Sequence, residues 1–587
     1  MNYLQDKIKD TIALQFVSFS DGLIPVDIIK SQIRKPSSKY TNVGDYQFNL
    51  MYLFKYGNII TKQNSKDLAD KWVNDFVCDN LVEGISNNGC FINFKINRLI
   101  LAKTIIEEVI EKKDKYGYST SQKNGLPILV EYSSPNIAKP FHMGHLRSTI
   151  IGNFLKNLSN AMGYPTVSIN YIGDWGKQYG LLALAFDKYG DEEKLAKDPM
   201  KHMYEIYVAI HKKLTEERLA LGTKRSPIDI KAQDIFEKLE SKDKESLKKW
   251  KMLRDLSIKI YQETYQRLGI KFDVYSGESQ VQDHISDVVK ILNQRNLLQT
   301  DEKGTFIDLT EYKLGHAVIL KSNQTTLYLS RDLAEINRRR KEWNFYKCFY
   351  VVGGTQAHHF KQFFKILELV EYDFAGKCQH VGFGQVSGMS TRQGTAVFLT
   401  DILDYAQEKM LEVMKENPDK ISQVNDPIKT ADLLGISAVI IQDLGAKREE
   451  NYTFDWKRIS SFRGNTGPYL QYSHARICSI LRKVKGEINI NFKANLEKLQ
   501  EIEAYHLIKM IGQYQNILEE CWRKLEPHSL VEYLMDLTKA ISSAYNVLRV
   551  KGEEIELAEA RLLLFWCSQI VLASGMKLLG LTPIEAM

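Results

Sequence analysis

His142, Met143, Gly144 and His145 carry the first chemical signal in this chain. Two histidines three residues apart at a helix start lie on one face. The free N–H groups and positive dipole end of such a helix already favour an anion. Gly144 lets a flat ring or a phosphate approach the backbone. The pattern suits a nucleoside triphosphate. The preceding loop, residues 133–140, adds turn formers, two hydroxyls and Lys139. It follows a short β-branched run at 128–132, and ligands in open α/β sheets gather at that end of a strand. A second cluster, Gly388, Met389, Ser390, Thr391 and Arg392, follows a strand-like stretch at 380–386. Such a loop can neutralise a triphosphate as it becomes pyrophosphate. Taken singly, the first cluster also fits a capped helix and the second a polar surface turn.

The elements around these clusters alternate. A strand at 128–132 leads to an amphipathic helix at about 142–162. A second strand, 165–170, ends at 171–176. Residues from about 186 to 266 read as a polar helical insertion, and its charge-rich stretch 242–251 as a solvated face. Strand and helix alternation resumes at 316–321, 326–330 and 348–352, the last followed by a helix through Val370. This predicts an α/β fold: a Rossmann-type doubly wound parallel sheet with a helical insertion. Before it, helices near 4–16 and 98–112 flank alternating stretches at 45–50 and 91–96, which reads as a small α/β appendage. After about residue 401 the segments 428–447, 468–485, 496–524, 528–549 and 555–579 read as an all-α bundle. The expected domains are 1–122, 123–400 and 401–587.

Composition narrows the class. With 44% hydrophobic and 26% charged residues, the 587-residue chain reads as a soluble protein of about three domains. The net charge of +7 is compatible with a nucleic-acid partner. The most apolar run, 562–581, contains Gln569, Ser574 and Lys577, so a core helix is expected and no membrane span. Seven cysteines without Cys-x-x-Cys spacing predict reduced thiols in an intracellular setting and no zinc site. Asp6, Asp10 and the lack of arginine in the first twenty residues suit neither a secretory signal nor a transit peptide. His358 and His359 are adjacent and would point apart on a helix, so no metal site is expected there.

Together the two clusters resemble the HIGH and KMSKS signatures of class I aminoacyl-tRNA synthetases. Residues 133–145, 170–176, 328–333 and 465–476 look like arginyl-tRNA synthetases. The resemblance covers essentially the whole chain and looks closest to the fungal and animal organellar branch. It implies that Glu131, Tyr328 and Asp332 hold a guanidinium, a planar fork of five donors. It implies that Asn136, His145 and Gln356, with Ser134 and Pro135 beside them, meet the α-amino and carboxylate end of arginine. Left to themselves, Asp332 also fits a helix first-turn acid and Gln356 plain surface polarity. ATP would be bound by His142, Gly144, His145, Met389, Ser390, Thr391 and Arg392. Gly388 and Thr391 stand where the full signature has lysines, and Lys139 occupies the place of a compensating lysine. His142, His145, Lys139 and Arg392 are the expected catalytic groups.

The implied substrates are L-arginine, ATP with Mg²⁺ and tRNA-Arg, with no prosthetic group, no resident metal and no membrane. The implied protein is a monomer of the mitochondrial matrix, with the cytoplasm as the alternative, and one that needs bound tRNA before it activates arginine. The insertion is too short and plain for an editing domain, so no editing is expected. Between 435 and 485 lie nine Lys/Arg and four Asp/Glu residues. Tyr469, Tyr472, His474 and Arg476 there are candidate tRNA contacts, with basic groups on phosphates and rings on bases. Tyr472 equally fits a bundle core. The appendage is implied to meet the outer corner of the tRNA, through Asn93 and Phe94. Two competing readings are an HxGH nucleotidyltransferase without tRNA and a tRNA-binding relative that has lost catalysis.

Overall fold

The computed structural model describes all residues except 1–2, 21–23, 35, 37–43, 57–64, 121–122, 124, 138–140, 142, 223–224, 323–325 and 389–398. It divides into two compact units. The first gathers Met1–Ser119, Arg476–Leu518 and Asp536–Ser574. Its strands β1 (Tyr46–Asn49), β2 (Val82–Asn88) and β3 (Phe91–Ile96) form an antiparallel sheet in the order β1-β3-β2. Helices Tyr3–Phe19 and Ser65–Asp75 bring Phe16 and Trp72 together edge-on at 4.9 Å, and Phe16 meets Phe94 at 5.8 Å. Asn97 caps the helix Arg98–Lys112 by accepting from the N–H groups of Leu99 and Ile100. Asp45 accepts from the Ile96 N–H, the Tyr505 hydroxyl and the Lys509 ammonium, which ties the sheet to the helix Ile502–Ile511.

The second unit comprises Thr120–Ala475, Glu519–Met535 and Gly575–Met587. Its strands are β4 (Ile128–Glu131), β5 (Thr166–Ile172), β6 (Val274–Gly277), β7 (Gln299–Asp301), β8 (Gly304–Asp308), β9 (His316–Lys321), β10 (Lys347–Tyr350), β11 (Cys378–His380), β12 (Val386–Ser387) and β13 (Tyr452–Thr453). The main sheet is fully parallel, ordered β11-β10-β4-β5-β6. All four residues of β4 are buried, as expected of a strand covered on both faces. Strand order reverses between β4 and β10. β4 runs on toward β5 on one side, and β10 toward β11 on the other. The connections leaving these two strands therefore diverge and open a crevice at their carboxyl ends. Helices Lys177–Tyr189, Pro199–Leu221, Pro227–Glu240 and Lys244–Arg267 intervene between β5 and β6 around their own apolar core, including Tyr179, Phe236 and Leu253. Ser226 starts the third of these with a reciprocal capping box to Asp229.

Three sequence expectations change. Residues 316–321 form a strand, but β9 belongs to a separate antiparallel sheet, β7-β8-β9. Residues 326–330 are not a strand. They run into the helix Tyr328–Trp343, whose Leu329, Leu333 and Ile336 are buried at helical spacing. Ser330 fixes that start, accepting from the Leu327 N–H and donating to the Ile319 carbonyl. A five-residue stretch is too short for its period to separate strand from helix. The segment 496–524 divides into Ile502–Ile511 and Tyr514–Lys524. Among the described residues no helix is long and apolar enough to cross a membrane.

The helix Met143–Ala161 lies on β4 so closely that a Cβ at Gly152 would fall 2.1 Å from Cγ of Tyr132. Gly152→Ala is therefore expected to cost about 1–3 kcal/mol by overpacking. The check is a lowered denaturation midpoint, and an unchanged midpoint would show that this contact yields freely.

Candidate active site

The chain turns sharply where β4 ends. Ser133 and Ser134 both have positive φ, 71° and 46°, an unusual conformation for two consecutive non-glycine residues. Strain of roughly 1–3 kcal/mol per residue persists only where the surroundings overdetermine it. Here they do. The Ser133 N–H donates to Ser148 Oγ at 2.9 Å, and Ser133 Oγ lies 2.7 Å from the Tyr265 hydroxyl and 2.8 Å from Thr149 Oγ1. The Ser134 N–H donates to Asn170 Oδ1 at 3.2 Å, and Asn170 Nδ2 donates to the Tyr265 hydroxyl. The turn leaves Ser134 Oγ buried without a hydrogen-bond partner among the described residues. Asn136 follows, bridged to Gly173, where a Cβ would sit 1.9 Å from Asn136 Oδ1. Glycine is required there for the asparagine side chain to fit.

Across the crevice, Ser148 Oγ donates to the Val351 carbonyl at 2.6 Å, so the first-motif helix grips the end of β10 as well. The space enclosed is about 580 Å³. Ser134, Gly144, His145 and Gln356 line it together with Gly353, Thr355 and Gln385. That volume suits a nucleotide-sized ligand. Four residues singled out from the sequence are thus brought to one cavity. Glu131, Asn136, Tyr328 and Asp332 are not among those lining it.

Glu131 and Asp332 instead form an acidic neighbourhood beside it. Glu131 is 6% exposed, and its Oε2 is 2.6 Å from Arg339 Nη1. Burial pushes the Glu131 carboxyl up to about 7, the Arg339 charge pulls it back, and Asp332 raises it again as a like charge. Arg339 is itself wholly buried, bonded through Nε to Glu335 and set over the rings of Tyr171 and Tyr350. Burial works against the Glu335 charge too, but Arg339 and Arg338 hold its carboxyl below the usual range. Asp332 Oδ2 lies 2.7 Å from His359 Nε2, so His359 contacts this carboxylate while His358 faces solvent. Tyr328 is 65% exposed. A further buried pair, Glu278 with Arg331, stands next to this group, and burial pushes Glu278 up to about 7 against the pull of Arg331. Sequence reasoning missed Arg339, Glu335, Arg331 and Glu278, and weighed His359 only as a metal ligand. Asp332, Glu335 and Arg339, spaced three and four apart on one helix, were the available signal.

Lys139, His142, Met389, Ser390, Thr391 and Arg392 lie outside the described residues. Gly388 lies inside, at φ 77°, where a Cβ would come within 2.9 Å of Thr453 Cγ2.

The candidate RNA contacts need correction. Asn93 and Phe94 are 2% and 0% exposed. Asn93 accepts from Gln47 Nε2, and Phe94 packs against Phe16 and Phe76. Phe94 is a core residue, and Asn93, on the opposite face of β3, is buried with its side chain bonded to Gln47. His474 is buried with Nδ1 2.9 Å from the Ile584 carbonyl, and burial lowers its pKa, so it does not present a ring to solvent. Tyr469 and Tyr472 are half-buried, and the Arg476 guanidinium stacks 3.4 Å from the centroid of the Tyr545 ring.

Comparison with known proteins accords with this geometry. The family described as tRNA synthetases class I (R), catalytic domain, matches residues 105–456. The DALR anticodon binding domain matches 470–587, and the arginyl tRNA synthetase N terminal domain matches 2–96. The cytoplasmic arginine–tRNA ligase of Saccharomyces cerevisiae is 46% identical over 97% of this chain and 94% of its own. A probable mitochondrial arginine–tRNA ligase of Mus musculus is 40% identical over 96% of each. The crystal structure of Plasmodium falciparum arginyl-tRNA synthetase superposes with a TM-score of 0.79 at 26% identity over 99% of both chains. The crevice between β4 and β10 therefore sits in a member of the class I arginyl-tRNA synthetase family.

Proposed function

We propose that this crevice joins L-arginine to ATP and passes the product to tRNA-Arg. The observation that carries the reading is the convergence of Ser134, Gly144, His145 and Gln356 on one nucleotide-sized cavity beside the buried Glu131 and the half-buried Asp332. ATP enters with Mg²⁺, held mainly by its own phosphates. The arginine carboxylate attacks the α-phosphorus in line, the bond to the β-phosphate oxygen breaks, and pyrophosphate leaves with arginyl adenylate formed. His142, His145, Lys139 and Arg392 stabilise the charge on the transferring group, with Met389, Ser390 and Thr391 alongside. A hydroxyl of the terminal tRNA adenosine then takes the arginyl group and AMP departs.

Glu131, Tyr328 and Asp332 take the substrate guanidinium, and Ser134, Pro135, Asn136, His145 and Gln356 its other end. A site that hydrogen-bonds a charged fork rejects other amino acids by about 10⁴–10⁵ without proofreading. We assign residues 1–122 to the outer corner of the tRNA, 123–400 to catalysis and 401–587 to the anticodon. Tyr469, Tyr472 and Arg476 remain as RNA contacts. The protein acts as a monomer in the mitochondrial matrix. The alternative compartment, the cytoplasm, is favoured by relatives at 42–46% identity that carry that name. Subcellular fractionation separates the two.

Arginine-dependent ATP–pyrophosphate exchange, run with and without tRNA-Arg, tests the activity itself. Binding of tRNA without exchange would mark a relative that has lost catalysis. In Lys139→Ala, loss of one preorganised charge is expected to slow adenylate formation by roughly 10²–10³. An unchanged rate would remove Lys139 from the site.

A pH dependence follows from Glu131. Above about 7 its carboxylate neutralises Arg339. Below, it takes a proton while Arg339, held well above the ordinary arginine value, stays charged. A buried cation then faces the incoming guanidinium. KM for arginine should rise as pH falls through about 7. Glu131→Gln should show a high KM throughout and no step. A wild-type KM that stays flat across this range would contradict the role of Glu131.

A further inference from the structure

Arg147 lies two residues beyond His145, in the same helix, and is 1% exposed. Its guanidinium is spent on backbone. Nη1 donates to the Gly384 carbonyl at 2.8 Å and the Glu450 carbonyl at 3.1 Å. Nη2 donates to the Lys447 and Arg448 carbonyls, each at 3.3 Å. Asp443 balances the charge at 3.6 Å from Nε, and the Tyr452 hydroxyl donates to the other oxygen of Asp443. The Tyr452 ring lies under the guanidinium.

The two bonded stretches belong together. The Gly384 N–H donates to the Arg448 carbonyl, and the Gln385 N–H to Asn451 Oδ1. β12 then pairs with β13, Val386 opposite Tyr452 and Ser387 opposite Thr453. Gly384 and Glu450 approach so closely that a Cβ on the glycine would lie 2.4 Å from the Glu450 carbonyl oxygen. β12 leads directly to Gly388. One buried fork thus fastens the helix of the first motif to the strand that enters the second.

An apolar side chain would pack this helix without the cost of drying a guanidinium. Only a rigid fork with several donors can bridge four carbonyls on two segments, and a lysine ammonium cannot. We propose that Arg147 is a positioning residue for the phosphate step, fixing where β12 and Gly388 stand relative to His145. This rests on the adenylate-forming reading above. Glu131 and Asp332 sit on β4 and the helix Tyr328–Trp343, and neither lines the cavity that Arg147 and Gly384 line. Recognition of the arginine guanidinium should therefore be spared.

The test uses the full chain with tRNA-Arg and MgATP, and follows single-turnover adenylate formation, which does not depend on the fraction of active protein. In Arg147→Lys a misplacement on the order of 1 Å should slow this step by about 10²-fold while KM for arginine holds. Gly384→Ala strains the same junction without disturbing the buried charge and should slow the same step. A folded variant of either kind reacting at the natural rate would overturn the proposal, as would a matching rise in KM for arginine. Failure of both to fold would assign Arg147 to stability and overturn it too. Absence of arginine-dependent adenylate in the unaltered protein would instead defeat the proposed activity.

Discussion

Glu131 ends a strand that has protein on both sides, and it ends it with a charge. Moving an ion into such surroundings costs on the order of several kcal/mol unless a partner and hydrogen bonds compensate. The partner is Arg339, wholly buried seven residues along the helix from Asp332. Arg339 is in turn shared with Glu335 and lies over Tyr171 and Tyr350, which stand on the strands flanking β4. A single guanidinium therefore docks the helix Tyr328–Trp343 against three neighbouring strands. It also sets the electrostatics of the recess where Asp332 and His359 meet. The helix carrying Asp332 cannot shift without exposing or orphaning Glu131.

The strained turn at Ser133 and Ser134 solves a second problem at the same strand end. β4 must stop and redirect at once, or its chain would fill the crevice that the reversal of strand order opens. Hydroxyl and amide groups from Ser148, Thr149, Asn170 and Tyr265 hold the two unfavourable φ values. Those groups come from β5, from the first-motif helix and from the last helix of the insertion. The insertion therefore contributes to the catalytic crevice through Tyr265, besides forming a core of its own.

Much of this was legible in the residues. β4 and β10 were found because strands buried on both faces read as nearly continuous apolar runs, and β5 by its alternation of Val167, Ile169 and Tyr171 with polar residues. The helices of the carboxyl-terminal part were found by their 3.6-residue spacing. β6 was not, since Val274–Gly277 is four residues long with two polar-looking neighbours and no alternation to detect. Residues 326–330 misled because Thr and Tyr favour strands in isolation, while burial of Leu329, Leu333 and Ile336 on one face decides for helix. Asn93 and Phe94 misled differently. The resemblance proposed them, but in 91–96 Ile92, Phe94 and Ile96 turn to the core, and on the other face, where Phe91 and Lys95 are exposed, Asn93 is buried. Arg339 was invisible because a run of three arginines on a charged helix looks solvated, and only the tertiary fold turns the middle one inward.

Gly388 shows how a departure from a signature can be read through backbone geometry. A lysine there would need a left-handed φ and would drive its Cβ to 2.9 Å from Thr453 Cγ2 and 3.0 Å from the Phe454 carbonyl. The junction is closed further by Trp456, whose Nε1 donates to the Gly388 carbonyl. Position 388 thus supplies shape where the fuller signature supplies charge. On the reading proposed above, the positive charge then has to come from Lys139 and Arg392, which belong to separate segments of the chain. Two cations attached to separate segments neutralise a phosphate only if those segments keep a fixed separation. Arg147, bonded to four carbonyls at the base of one segment from the helix that begins at the other, is the group in this structure placed to keep it.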